Sequence, residues 1–174
     1  MLLKALSHFA ATIILFSTLL QPSDAQEMKL SSPAFTDGKP IPAQHAYHHQ
    51  NLNPALVIEN VPQGTRALVL IMDDPDAPSG TWNHWLVWNI APDTRQIAAG
   101  ETPAGALVGR NDFGQRRYDG PAPPSGTHRY FFRLYALSQP LDLKAGASRQ
   151  QLDAALKNHL LATATLMGTY ASKP

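Results

Sequence analysis

The run Ala67 to Met72 is uninterrupted and apolar, and it leads at once into Asp74-Pro75-Asp76-Ala77-Pro78 and then, a few residues on, His84-Trp85. Such a run suits a strand buried on both faces and is short for a helix. The two prolines that follow can neither continue a helix nor donate to a sheet ladder, so the chain must leave the core at Asp74. Two carboxylates and an imidazole are thereby held near one sheet edge by a stiff loop, a common way to build a small polar site on a rigid scaffold. If the strand ending at Met72 pairs antiparallel with one starting at His84, hairpin geometry puts Asp74 and His84 at the same end of the sheet.

A second segment repeats the pattern. Gly120-Pro121-Ala122-Pro123-Pro124-Ser125-Gly126 is a Pro-rich turn that delivers His128 and Tyr130 onto the start of another strand. Whether His128 joins Asp74 and His84 depends on strand order, which one sequence leaves open.

The first residues have the form of an export signal: Lys4 in a short n-region, an apolar h-region from Phe9 to Leu20, then Ser23-Asp24-Ala25 with small residues where a signal peptidase reads them. Residues 1–25 are therefore expected to be a signal peptide and 26–174 one domain, periplasmic or secreted; the apolar stretch is short for a membrane span and carries Ser17 and Thr18. There is no cysteine, hence neither a lipid-modified N-terminus nor a disulfide framework, and the domain must rely on its own core. A net charge of +1 without a basic stripe argues against nucleic acid. Arg110, Arg116 and Arg117, interrupted by Asp112 and Asp119, read as a solvated loop.

Along the rest of the chain, Met28 to Ser32 suits a first short strand, and Leu56 to Val61 a second, closed by Pro62-Gln63-Gly64. Alternation puts His84, Leu86, Trp88 and Ile90 on one strand face and Trp85, Val87 and Asn89 on the other; likewise His128, Tyr130, Phe132 and Leu134 oppose Arg129, Phe131, Arg133 and Tyr135. Pro92 to Asp119 reads as a surface excursion with a short strand near Leu107. Ser148 and Gln151 form a capping box before Leu152, Ala155, Leu156, His159, Leu160 and Thr163 at helical spacing, which predicts a C-terminal helix with His159 on its apolar face.

Taken together, D-P-D-A-P at Asp74 to Pro78, H-W at His84-Trp85, Y-x-G-P-x-P-P at Tyr118 to Pro124 and G-T-H-R-Y at Gly126 to Tyr130 resemble the phosphatidylethanolamine-binding protein family, in particular its bacterial Raf-kinase-inhibitor-like branch. The resemblance implies a mainly β fold with a central, mostly antiparallel sheet, Pro-rich connecting loops and a small surface pocket for an anion, such as phosphate or a phosphoethanolamine headgroup. It places Asp74, Pro78, Trp82, His84, Gly120, Pro121, Pro123, His128 and Tyr130 around that pocket, assigns Asp76 and Arg129 to holding the loops, and implies cis peptide bonds in the proline loops. Ala122 occupies a position where bacterial relatives often carry cysteine, so a thiol role is absent here.

An imidazole, whether neutral or charged, can donate to an anion, whereas the Asp74 carboxylate would repel one unless it fixes a histidine tautomer or is protonated. His45, His48 and His49 lack a second ligand pair at a diagnostic metal spacing and read as a solvent-facing loop, so neither metal nor another cofactor is expected. Trp82 belongs to the loop and can wall the pocket, while Trp85 and Trp88 pack on opposite faces. The expected function is an exported, non-enzymatic binding protein. Two alternatives stand beside it: an inhibitor of a protease or other enzyme, and a hydrolase using Asp74, His84 and His128, which lacks a G-x-S-x-G elbow. A protein partner or a homodimer is left open.

Overall fold

The computed structural model describes residues 26–172; the expected signal peptide lies outside them. Eight strands and one α-helix follow in the order β1 (Lys29–Ser31), β2 (Leu56–Glu59), β3 (Ala67–Asp74), β4 (Trp82–Ile90), β5 (Gln96–Ile97), β6 (Leu107–Val108), β7 (Thr127–Leu137), α1 (Arg149–Leu156) and β8 (Leu160–Ala171). They form a small sheet, β1-β2-β5, and a large one, β6-β4-β3-β7-β8, in which every neighbouring pair is antiparallel.

β3 is the middle strand of the large sheet, and all of its residues are buried, as an apolar run without alternation requires. One of its faces, Leu68, Leu70 and Met72, packs with Trp85, Phe132 and Leu134 against Leu56, Ile58 and Ile97 of the small sheet. The other, Val69 and Ile71, packs with Leu86 and Trp88 against Leu152 and Leu156 of α1. Each of these fully buried large side chains contributes about 1.5–3 kcal/mol. The core is thus two layers on opposite sides of one sheet, with Trp85 and Trp88 on opposite faces as expected.

Two irregularities in β4 alter the simple alternation. Asn89 adopts φ 56°, and the register slips by a residue between Leu68 and Leu70 of β3, so Ile90 turns to the face of Trp85 and Val87 instead of sharing that of Trp88. Asparagine tolerates the left-handed region better than most residues. A second slip, between Met72↔Trp85 and Asp73↔Asn83, makes His84 the extra residue of a bulge and presents its ring to Tyr130, 5.3 Å away and edge-on.

The helix begins where the capping box puts it, with the Ser148 hydroxyl accepting from Gln151 N, but it ends at Leu156. His159 lies beyond it in a turn, next to Gln139, and Leu160 and Thr163 belong to β8. The helical reading of these three residues is corrected by tertiary pairing: β7 offers its whole length as a template, and β8 pairs with it from Leu160 to Ala171. No peptide bond among the described residues is cis, contrary to what the family resemblance implied.

Candidate functional site

A cavity of about 210 Å³ opens where β3 and β4 leave the large sheet. Asp74, Trp82 and His84 come from the strand ends, and Ala77, Pro78 and Ser79 from the connection between them; Phe113, Ala122 and Pro124 reach in from the two later loops. Trp82 is the first residue of β4 and pairs with Asp74, so it is a strand residue and not a loop residue, though it still walls the cavity.

Strand order brings the second histidine in. β7 pairs directly with β3, and His128 Nδ1 lies 2.7 Å from Asp74 Oδ2, both groups being buried. The other Asp74 oxygen accepts from Asp76 N at 2.8 Å. Asp76 in turn takes two bonds from the Arg129 guanidinium and one from Arg129 N, at 2.7–2.9 Å. The guanidinium bonds hold the Asp76 carboxyl down at about 2. These contacts fit the loop-holding role that the resemblance gave to Asp76 and Arg129.

His84 is fixed from the opposite side. Its Nδ1 is 2.7 Å from the carbonyl of Asp119, and a carbonyl only accepts, so Nδ1 carries the proton. Burial lowers the His84 pKa below its ordinary value, partly offset by the Asp119 carbonyl and the Asp74 charge. His128 likewise donates Nδ1–H to a carboxylate. In their neutral forms both rings therefore keep a lone pair at Nε2, which accepts hydrogen bonds; each donates from Nε2 only as imidazolium. This corrects the simpler expectation that either charge state can donate to an anion. Among the described residues, no lysine or arginine lines the cavity.

Tyr130 lies beneath His84 and is fully buried, and its hydroxyl has no hydrogen-bond partner among the described residues. Burial, then the neighbouring Asp74 charge, raises its pKa. The buried Trp82 Nε1 also lacks a partner. Two buried donors thus lack partners here, one on the lining residue Trp82 and one on Tyr130 behind His84.

Five expected residues fall outside the cavity lining; two of them, His128 and Tyr130, lie directly behind it, against Asp74 and His84. Gly120, Pro121 and Pro123 do not line this cavity. Pro121 and Pro123 face a smaller neighbouring one of about 110 Å³, with Ala46, His48, His49 and Tyr170. Gly120 is a packing residue: a Cβ there would sit 1.9 Å from the His45 carbonyl oxygen. Its N–H donates to Asn51 Oδ1, and Asn51 Nδ2 donates to the fully buried Asp119. Asn111 and Arg117 also donate to Asp119, which makes that acid part of a buried network instead of a solvated loop. His45 is buried too, its Nδ1 bonded to the Leu52 carbonyl, while His48 and His49 are exposed; the solvent-facing reading fails for His45 alone.

Sequence reading missed five wall residues, Ala77, Ser79, Phe113, Ala122 and Pro124, and Phe113 is the one aromatic among them. It stacks on Tyr47 at 4.7 Å and meets the rings of Trp82 and His84 edge-on. A lone aromatic in the otherwise polar Asn111-Asp112-Phe113-Gly114 turn was the available signal.

The family profile described as phosphatidylethanolamine-binding protein matches residues 31–171. The chain belongs to the phosphatidylethanolamine-binding protein family. It is similar to the UPF0098 protein of Methanothermobacter thermautotrophicus, at 45% identity over 82% of this chain and 98% of that one. A UPF0098 protein of Pyrococcus horikoshii is 41% identical over 86% of this chain and 79% of the relative. Among solved structures, a phosphatidylethanolamine-binding protein homologue of Chlamydia trachomatis superposes with a TM-score of 0.81 at 39% identity, covering 84% of this chain and 99% of the other. YbcL of E. coli, described as a member of the mammalian family, gives 0.80 at 29% identity, covering 85% and 100%. The mostly antiparallel β architecture is thus that of the phosphatidylethanolamine-binding proteins, and family membership points to a binding protein.

Proposed function

We propose that this chain is an exported, non-enzymatic binding protein, periplasmic or secreted, whose main cavity takes a small phosphate-bearing ligand such as a phosphoethanolamine headgroup and takes up a proton with it. The observation that carries the reading is the tautomer of His84. With Nδ1 tied to Asp119 and the ring neutral, Nε2 can meet a phosphate oxygen only if a proton lies between them, supplied by the imidazolium or by the phosphate itself. Trp82, which lines the cavity, carries a buried indole N–H without a partner, a donor that a ligand oxygen would satisfy once the ring turns toward it.

The hydrolase alternative finds less support. His128 and Asp74 form a hydrogen-bonded dyad, but neither imidazole bonds a hydroxyl among the described contacts, and Ser79, which lines the cavity, has no base on it. Export rests on the sequence pattern of residues 1–25 and predicts a mature chain beginning at Gln26, which intact-mass measurement on exported material decides. The ligand reading is tested by calorimetric titration with phosphoethanolamine of the wild type, His84→Ala and His128→Ala. Affinity lost in both variants supports it; turnover of a phosphoester that disappears in the double variant would replace it with the hydrolase.

A further inference from the structure

Each of three cavity residues directly follows a residue of one network on the far side of the large sheet. Asp74 follows Asp73, His84 follows Asn83, and Phe113 follows Asp112. Asp73 is buried and paired with Arg133 at 3.0 Å and Arg149 at 3.1 Å. The same Arg149 nitrogen donates to Asn83 Oδ1 at 2.9 Å. Asn83 then engages Asp112 three times: its N and Nδ2 both donate to Asp112 Oδ2, at 2.6 and 2.8 Å, and its carbonyl accepts from Asp112 N at 3.0 Å. Arg149 is the first residue of α1, where Asp153 one turn on holds its Nε at 2.8 Å.

Asp73 and Asn83 are also the pair that closes the β4 bulge, Met72↔Trp85 being followed by Asp73↔Asn83 with His84 left over. A bulge re-aims a side chain only while its flanking pair stays in register. Hydrogen bonds from one cationic donor to both members of that pair hold it there, and they are of the stronger, charge-assisted kind. We infer that Arg149 is a positioning residue for the cavity: by tying Asp73 to Asn83 behind the sheet, it keeps the bulge that turns His84 inward and keeps Phe113 over the His84 ring. Arg133 is the internal control, because it reaches Asp73 but has no bond to Asn83.

Removing Arg149 leaves Asp73 paired with Arg133, so the buried carboxylate is not stranded and the fold should survive. The inference rests on the main cavity being the ligand site, but its test needs no ligand. In ligand-free protein, the His84 ring is followed by NMR titration in the wild type, Arg149→Met, Arg149→Lys and Arg133→Met. The groups facing that ring, namely Asp74 with its His128 partner, Asp112, the Asp119 carbonyl and Tyr130, remain in every variant. Arg149→Met should raise the His84 midpoint by about half a pH unit or more toward the ordinary 6.5, as the ring loses its burial. Its cross-relaxation with Phe113 should weaken as well. Arg149→Lys should recover part of both effects, and Arg133→Met should leave them at the wild-type values. Should Arg149→Met not fold, the comparison of Arg149→Lys with Arg133→Lys carries the test, with a shift expected in the first alone. A His84 midpoint unchanged by substitution at Arg149, or moved equally by substitution at Arg133, overturns the inference.

Discussion

Proton uptake on binding is the consequence that most sharply tests the cavity chemistry. Above about pH 6.5 a phosphate monoester, with its second pKa near 6, is mostly dianionic. The His84 ring is neutral over the same range, since burial lowers its pKa. A dianion facing the Nε2 lone pair is repelled, so the bound state must hold one more proton than the separated partners. By linkage, each proton taken up gives a tenfold gain in affinity per pH unit, about 1.4 kcal/mol. From about pH 8 down to 6.5 the association constant of phosphoethanolamine should therefore rise roughly thirtyfold per proton. The gain should flatten near the ligand's own pKa, about 6. Because the free His84 ring titrates below 6.5, the slope persists down to the ligand's own pKa and is not centred on 6.5. Calorimetry in two buffers of different ionisation enthalpy counts the protons directly, and His84→Ala should bind with about one proton fewer. A slope of zero, a slope of opposite sign, or the same proton count in His84→Ala would refute the reasoning.

The remaining predictions concern single residues. Tyr130→Phe removes a buried hydroxyl without a partner, so stability by urea unfolding should change by less than about 1 kcal/mol, while phosphoethanolamine affinity should fall by about 1.5–3 kcal/mol if the hydroxyl donates to the ligand. Equal loss of both would show that the hydroxyl serves the fold. Gly120→Ala forces a Cβ onto the His45 carbonyl, where backbone faces backbone and no side chain can yield. It should cost about 3 kcal/mol or more, seen as a melting point lower by roughly 6–12 °C; an unchanged melting point would contradict the packing role. His45 and His84 both have pKa values lowered by burial. The unfolded chain then binds more protons below 6.5, so stability should fall as pH drops from 6.5 toward the folded values and be unaffected by these rings above it. Denaturant midpoints that rise on acidification through that window would show the sign to be wrong.

Local chemistry made much of this molecule legible in the sequence. The apolar run of β3 suited a strand with both faces covered and the prolines after Asp74 ended it, so that, given a hairpin to His84, the cavity's place at that sheet end was legible in residues 67–84. The β7 alternation and the Ser148–Gln151 cap were equally direct, because each depends on neighbours within a few positions.

Tertiary structure decided what depends on residues far apart in the chain. The pairing of β7 with β3, which sets His128 against Asp74, is a matter of strand order. The fate of Leu160 to Ala171 rested on the long free edge of β7, which outweighed a weak helical periodicity. The bulge at His84 and the left-handed Asn89 break an alternation that period-two reading assumes to be perfect. Gly120 and Asp119, read as pocket wall and solvated loop, proved to be buried supports, since nothing in a Pro/Gly turn announces that the His45 backbone will press against it. A sequence specifies its own backbone preferences residue by residue, but burial and hydrogen-bond partners at a site built from four separate segments exist only once those segments have been brought together.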